Sequence, residues 1–177
     1  MKLGYALMSE RYRGIVALTV GAVGLAGAIG LVQTANAELL SHKDLTLAVA
    51  KTITETAIAD CKAKGYAVSA VVVGRDGETL VAMRGDNASP HTLENARRKA
   101  YTARSFRQST TDYAKKFADN NPTVRQQVTL PNVIAIPGGL PIKVGDDIVG
   151  GVGLSGSPGV DEPCVQAGLD KVADELK

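Results

Sequence analysis

The stretch GGVGLSG, residues 150–156, decides how the rest of the chain is read. It contains Gly151-x-Gly153-x-x-Gly156, the spacing of a dinucleotide-binding loop. Such a loop needs a strand before it, a helix after it and a second parallel strand beyond, with an acidic residue at that strand's tip. Only 21 of the 177 residues follow Gly156, and a helical pattern uses them up. Asp170 and Asp174 fall on that helix and not at a strand tip. The glycines therefore belong inside a last strand. Glycine weakens a strand there, but it lets another backbone pack close or lets a flat ligand lie on it.

Outward from this stretch, the strands come in pairs. LPIKVGDDIVGGVGLSG reads as a hairpin, with Pro141 to Val144, a Gly-Asp-Asp turn, then Ile148 to Leu154. AVSAVVVGRDGETLVAMR reads as another, with β-branched Val71 to Val73, an Asp76-Gly77 turn and TLVAMR returning. Helical periodicity fills the flanks. Leu47, Val49, Ala50, Ile53, Ala57, Ile58 and Cys61 recur at helical spacing, and Gly65 stands where the chain leaves the helix. Ser89 reads as the N-cap and Pro90 as the first residue of a helix whose apolar face is Leu93, Ala96, Ala100 and Ala103. STTDYAKKFADN predicts a short helix, and VDEPCVQAGLDKVADELK a terminal one with Asp161 and Glu162 at its N-terminal end. The three prolines of PTVRQQVTLPNVIAIPGG predict loop and short strand pieces. Paired strands with helices packed against them predict an α+β sandwich on an antiparallel sheet.

The two ends differ in kind. Lys2, Arg11 and Arg13 precede Ile15–Val32, which carries no charge, and Ala35 and Ala37 occupy the small-residue positions of a processing site. This reads as a secretory signal, residues 1–37, cleaved after Ala37. Gly21, Gly24, Gly27 and Gly30 weaken that run as a stable spanning helix, so a retained membrane anchor is not expected. A single domain, 38–177, remains, and export places it in the periplasm or outside the cell. Taking three of 20 basic and one of 18 acidic residues from the total leaves 17 of each, so the domain is neutral. A neutral domain gives no footprint for nucleic acid. Cys61 and Cys164 form either one disulfide or two separate buried thiols, since Cα separation decides.

Three segments together resemble a known family. ARRKAYTA (96–103), PGGLPI (137–142) and GGVGLSGSPGVDEPCVQAG (150–168) are similar to the KA-x-TA helix, GG-hydrophobic-PI turn and glycine-rich ending of the GlcG/HbpS-like haem-binding proteins. The resemblance implies a profilin-like α-β-α sandwich, a homo-oligomer and haem as a ligand. It also implies candidate residues. Of the two histidines, His91 stands on the first turn of the KA-x-TA helix, four, seven and eleven residues before Asn95, Arg98 and Thr102. Imidazole is a common axial ligand for haem iron, so His91 is either that ligand or an exposed helix-start histidine. His42 reads as solvated. Thr102, at the motif threonine, and Tyr101 are further iron candidates; the hydroxyl of Thr102 has helix carbonyls as its alternative partners. Arg97, Arg98 and Lys99, with Arg104 and Arg107, form a solvated face or hold propionate carboxylates, and Lys99, at the family-matching position, has a structural role in the sheet or the oligomer as its alternative. Gly138 and Gly139 shape a turn near the ligand.

No serine elbow accompanies the histidines, so a catalytic triad is not expected. The function expected is an exported protein that stores, buffers or senses haem. The alternative is an enzyme or enzyme accessory that binds a small organic acid or a corrinoid-like ligand.

Overall fold

The computed structural model describes residues 38–177. The signal segment expected at residues 1–37 lies outside the described residues. The elements run α1 (Leu47–Ala63), β1 (Ser69–Val73), β2 (Thr79–Arg84), α2 (Thr92–Phe106), α3 (Thr110–Ala118), α4 (Pro122–Gln127), β3 (Gly139–Val144), β4 (Asp147–Ser155) and α5 (Asp161–Lys171). One four-stranded sheet has the order β2–β1–β4–β3, and every pairing is antiparallel. The α+β architecture is the one the paired-strand pattern predicts.

Strand alternation sends side chains to two faces. Ala70, Val72, Val152 and Leu154 pack on one side with Ala50, Ile53, Ala57 and Cys61 of α1 and with Cys164 and Val165 of α5. Val71 and Val73 pack on the other side with Ala96 and Ala100 of α2. β1 is thus buried on both faces, which its continuous run SAVVV suits. Cys61 and Cys164 are joined by a disulfide, Cα atoms 5.6 Å apart, which fastens α1 to α5.

The central glycines of β4 have a steric task. A Cβ at Gly153 would lie 2.2 Å from the carbonyl oxygen of Ala96, and one at Gly151 would lie 2.3 Å from that of Ala100. The two residues are the floor on which α2 lies, and the small face of α2 completes the fit. This close approach accounts for Gly151 and Gly153; Gly156 has φ +128°, and a Cβ there would lie 2.6 Å from the carbonyl oxygen of Ala67.

Two readings require correction. Residues 122–127 are helical, and among the described residues no strand piece lies between Pro122 and Pro137. Asn121 caps this helix, its side chain accepting from the Val124 N–H at 3.1 Å, and Pro122 occupies the first turn, where its missing N–H costs nothing. The helix carrying the KA-x-TA motif begins at Thr92, so His91 is its N-cap residue and Ser89 lies before it. Ser89 instead accepts from the Thr92 N–H and hydroxyl through its carbonyl oxygen, at 3.1 and 2.7 Å.

Candidate functional site

A cleft of about 450 Å³ opens where the start of α2 meets the β4–α5 turn. His91, Asn95 and Lys99 line it from α2, at spacings of four that place them on one helix face. Ile136 and Pro137 form one apolar wall, and Pro158 and Gly159 bring the turn in from the other side. Its size is that of a small-molecule pocket.

His91 stands exposed at the rim, and its side chain makes no capping hydrogen bond. The imidazole lines the cleft and is not engaged in capping the helix. Lys99 lies at the base and is 2 % exposed. Its Nζ donates to the Leu154 carbonyl at 2.9 Å and to the Asp161 carboxylate at 2.6 Å. Burial pushes the Lys99 ammonium below its ordinary range, against the opposing pull of Asp161. Asp161 also accepts from the N–H and hydroxyl of Ser157, at 2.9 and 2.7 Å. These bonds join α2, β4 and α5 at one point, and they leave Lys99 little freedom to meet a ligand's charge.

The two glycines of the PGGLPI turn serve this junction. Gly138 has φ +124°, and a Cβ there would lie 2.7 Å from that of Asp161 and 2.8 Å from Lys99 Nζ. At Gly139 a Cβ would meet the Lys99 carbonyl oxygen at 2.6 Å. Neither lines the cleft. They shape the packing behind it.

The remaining candidates point elsewhere, which corrects the face expected for His91. Arg98 donates to the Val133 carbonyl at 2.6 Å. Arg97 donates to Glu94 through two nitrogens, at 2.8 and 2.7 Å, and to Asn132 at 2.8 Å. The hydrogen bonds from Arg97, and then its charge, hold the Glu94 carboxyl below its ordinary value. The Thr102 hydroxyl is buried and accepts from the Ile134 N–H at 3.0 Å. Three α2 side chains thus tie down the irregular segment before β3 and carry its end, Ile136-Pro137, to the cleft. Tyr101 packs over Gly77 at the far end of α2, beside Arg75 and Arg104. His42 lies 3.5 Å from Asp44, away from α2.

The donor set fits one role of haem and not another. A free imidazole beside an apolar slot suits an axial ligand and a porphyrin face. Among the described residues the carboxylates of haem find no unpaired cation in this cleft, and Arg97 and Arg98 do not line it. Among the described residues no cluster of three His, Cys, Asp or Glu side chains is placed to hold a bare metal ion.

The model of the family described as haem degrading protein HbpS-like matches residues 45–170. The chain belongs to the HbpS-like family. Among solved structures, this HbpS-like chain is similar to HbpS, at 36 % identity and a TM-score of 0.70, covering 75 % of this chain and 93 % of that one. It is similar to a double mutant of HbpS from Streptomyces reticuli, at 33 % identity and a TM-score of 0.70, covering 88 % and 97 %. A PduOC–haem complex shares the fold at 21 % identity and a TM-score of 0.65, over 73 % and 95 %. An uncharacterized 15.0 kDa protein of Citrobacter freundii is 30 % identical over 113 residues, 63 % of this chain and 80 % of its own.

Asp161 and the 132–137 segment are the parts of the site that sequence reasoning missed. Asp161 reads as an ordinary helix-start acid because its partner, Lys99, lies 62 residues away. The only signal that could have joined them is that both stand in the family-like motifs, KA-x-TA and DE.

Proposed function

We propose that this protein binds haem in the cleft at the start of α2, with the His91 imidazole as axial ligand to iron. The observation that carries the reading is an exposed imidazole, free of capping bonds, facing a slot walled by Ile136, Pro137 and Pro158. Membership of a family described as haem degrading, and likeness to HbpS, support a haem-related role. When bound, haem supplies a redox-active iron. His91 would hold that iron, Asn95 stands one turn deeper in the cleft, and Ile136, Pro137 and Pro158 would give the porphyrin apolar contact. Storage, buffering and sensing all begin with this binding step, and we place the protein among them.

We further propose that the protein is exported and works in the periplasm or outside the cell as a homo-oligomer. The charged start, apolar run and Ala35-x-Ala37 site support export. So does the Cys61–Cys164 disulfide, which suits an oxidising compartment.

Titration with ferric haem, followed in the Soret region, tests the central reading. Saturation at one haem per chain is expected. A spectrum that stays the sum of free haem and protein overturns it. Light scattering on the purified protein tests the oligomer, for which a mass of one chain is the contrary result.

A further inference from the structure

A second cavity, also of about 450 Å³, lies between the end of α1 and the end of β2. Tyr66 and Met83 give it apolar surface, Lys62 and Arg84 give it two cations, and Asp86 is the carboxylate among its walls. Two links join it to the His91 cleft. Ala67 lines both cavities. Arg84 donates from Nε to the Ala88 carbonyl at 2.9 Å, and Ser89, the next residue, lines the His91 cleft. Ala88 and His91 are three residues apart, which an extended chain spans in about 11 Å at most.

Haem is an apolar disc with two carboxylates on one edge. The His91 cleft offers an imidazole and apolar walls, but the cation that lines it, Lys99, is already bonded to Asp161. The second cavity offers the complement. Lys62 and Asp86 are 4.0 Å apart with side chains 76 % and 93 % exposed, so their pairing is weak and easily exchanged. Arg84 uses two of its nitrogens on Ala88 and keeps further N–H groups for a carboxylate.

We infer that Lys62 and Arg84 receive the carboxylate edge of the bound porphyrin, across Ala67 from the iron ligand. This rests on the haem reading above and extends its site to a region that the basic face of α2 does not reach.

The test compares ferric protoporphyrin with its dimethyl ester, which has the same disc and iron but no free carboxylate. Dissociation constants are measured for both in the wild type, Lys62→Ala and Arg84→Gln, with thermal melts of each variant. The wild type is expected to prefer the diacid by roughly tenfold, and each substitution to weaken the diacid about three- to fivefold while leaving the ester unchanged. Lys62 is exposed, so its variant remains informative if Arg84→Gln melts early. Equal diacid and ester affinities in the wild type, or equal losses for both ligands in the variants, overturn the inference while haem binding stands. A wild type that binds neither porphyrin removes the haem reading and this inference together.

Discussion

Lys99 shows how one residue can hold a site without touching its ligand chemistry. Its ammonium spans α2, β4 and α5 through Leu154 and Asp161, and Gly138 is bare because any side chain would strike that junction. Lys99→Met leaves the Asp161 carboxylate buried beside Ser157 without its cation. The expected loss is about 3–5 kcal/mol in urea unfolding, with much of it recovered in Lys99→Met/Asp161→Leu, where no charge is left unpaired. A second ion pair is exposed and predicts a pH effect. Arg75 holds Asp147 below the ordinary carboxylate range through bonds of 3.1 and 2.6 Å. The unfolded chain then takes up this proton at a higher pH than the folded one. The pair's stabilisation is present above the ordinary aspartate value and is lost as pH falls through the lower, folded value. Acid unfolding of Asp147→Asn is expected to start from a lower stability at neutral pH and to show a flatter slope in that window. An unchanged slope contradicts the assignment. At this scale the site was legible only in part. Residue types for a haem site were visible in His91, while the occupations of Arg97, Arg98 and Thr102 depend on Asn132, Val133 and Ile134, a segment with no periodicity to place it.

Among the elements, α2 and β4 define each other. Ala96 and Ala100 are small where Gly151 and Gly153 are bare, so the helix backbone lies directly on the strand. Gly153→Ala must push α2 off the sheet, and a destabilisation of about 1–3 kcal/mol is expected in denaturant unfolding. Gly159→Ala makes a contrast, since open space surrounds it and only its φ of +81° resists a side chain. Its expected cost is ~1 kcal/mol, and the reverse ranking would contradict the steric account. The hairpins and long helices were legible because periods of two and of 3.6 are local properties. α4 was not, because Pro122 serves a helix start as readily as a loop and the Asn121 cap decides between them. The start of α2 slipped for a related reason. Ser89 has a cap's side chain, but its carbonyl is what bonds to Thr92, the residue at which the helix begins.

For the whole molecule, the α-β-α layering leaves a gap with an apolar wall of Ile136, Pro137 and Pro158 and an imidazole at its rim. It forms where α2, the β4–α5 turn and the tied-down segment before β3 converge. The Cys61–Cys164 bond braces the opposite layer, closing a span of 103 residues between α1 and α5. Cys61→Ala/Cys164→Ala is expected to lower stability by about 2–5 kcal/mol, checked by chemical unfolding under conditions that keep the wild-type bond intact. An unchanged midpoint would show that α1 and α5 are held by their apolar contacts alone. The layering was readable from the order of paired strands and helices, whereas the cleft required three segments that lie far apart in sequence. The central claim is that His91 holds haem iron in that cleft. It is tested most directly by the visible spectrum of ferric haem bound to the wild type and to His91→Gly, the latter with and without added imidazole. The account predicts a saturable spectrum in the wild type, its loss in the variant and its return on the protein when imidazole fills the vacated place. The same saturable spectrum in His91→Gly without imidazole would contradict it.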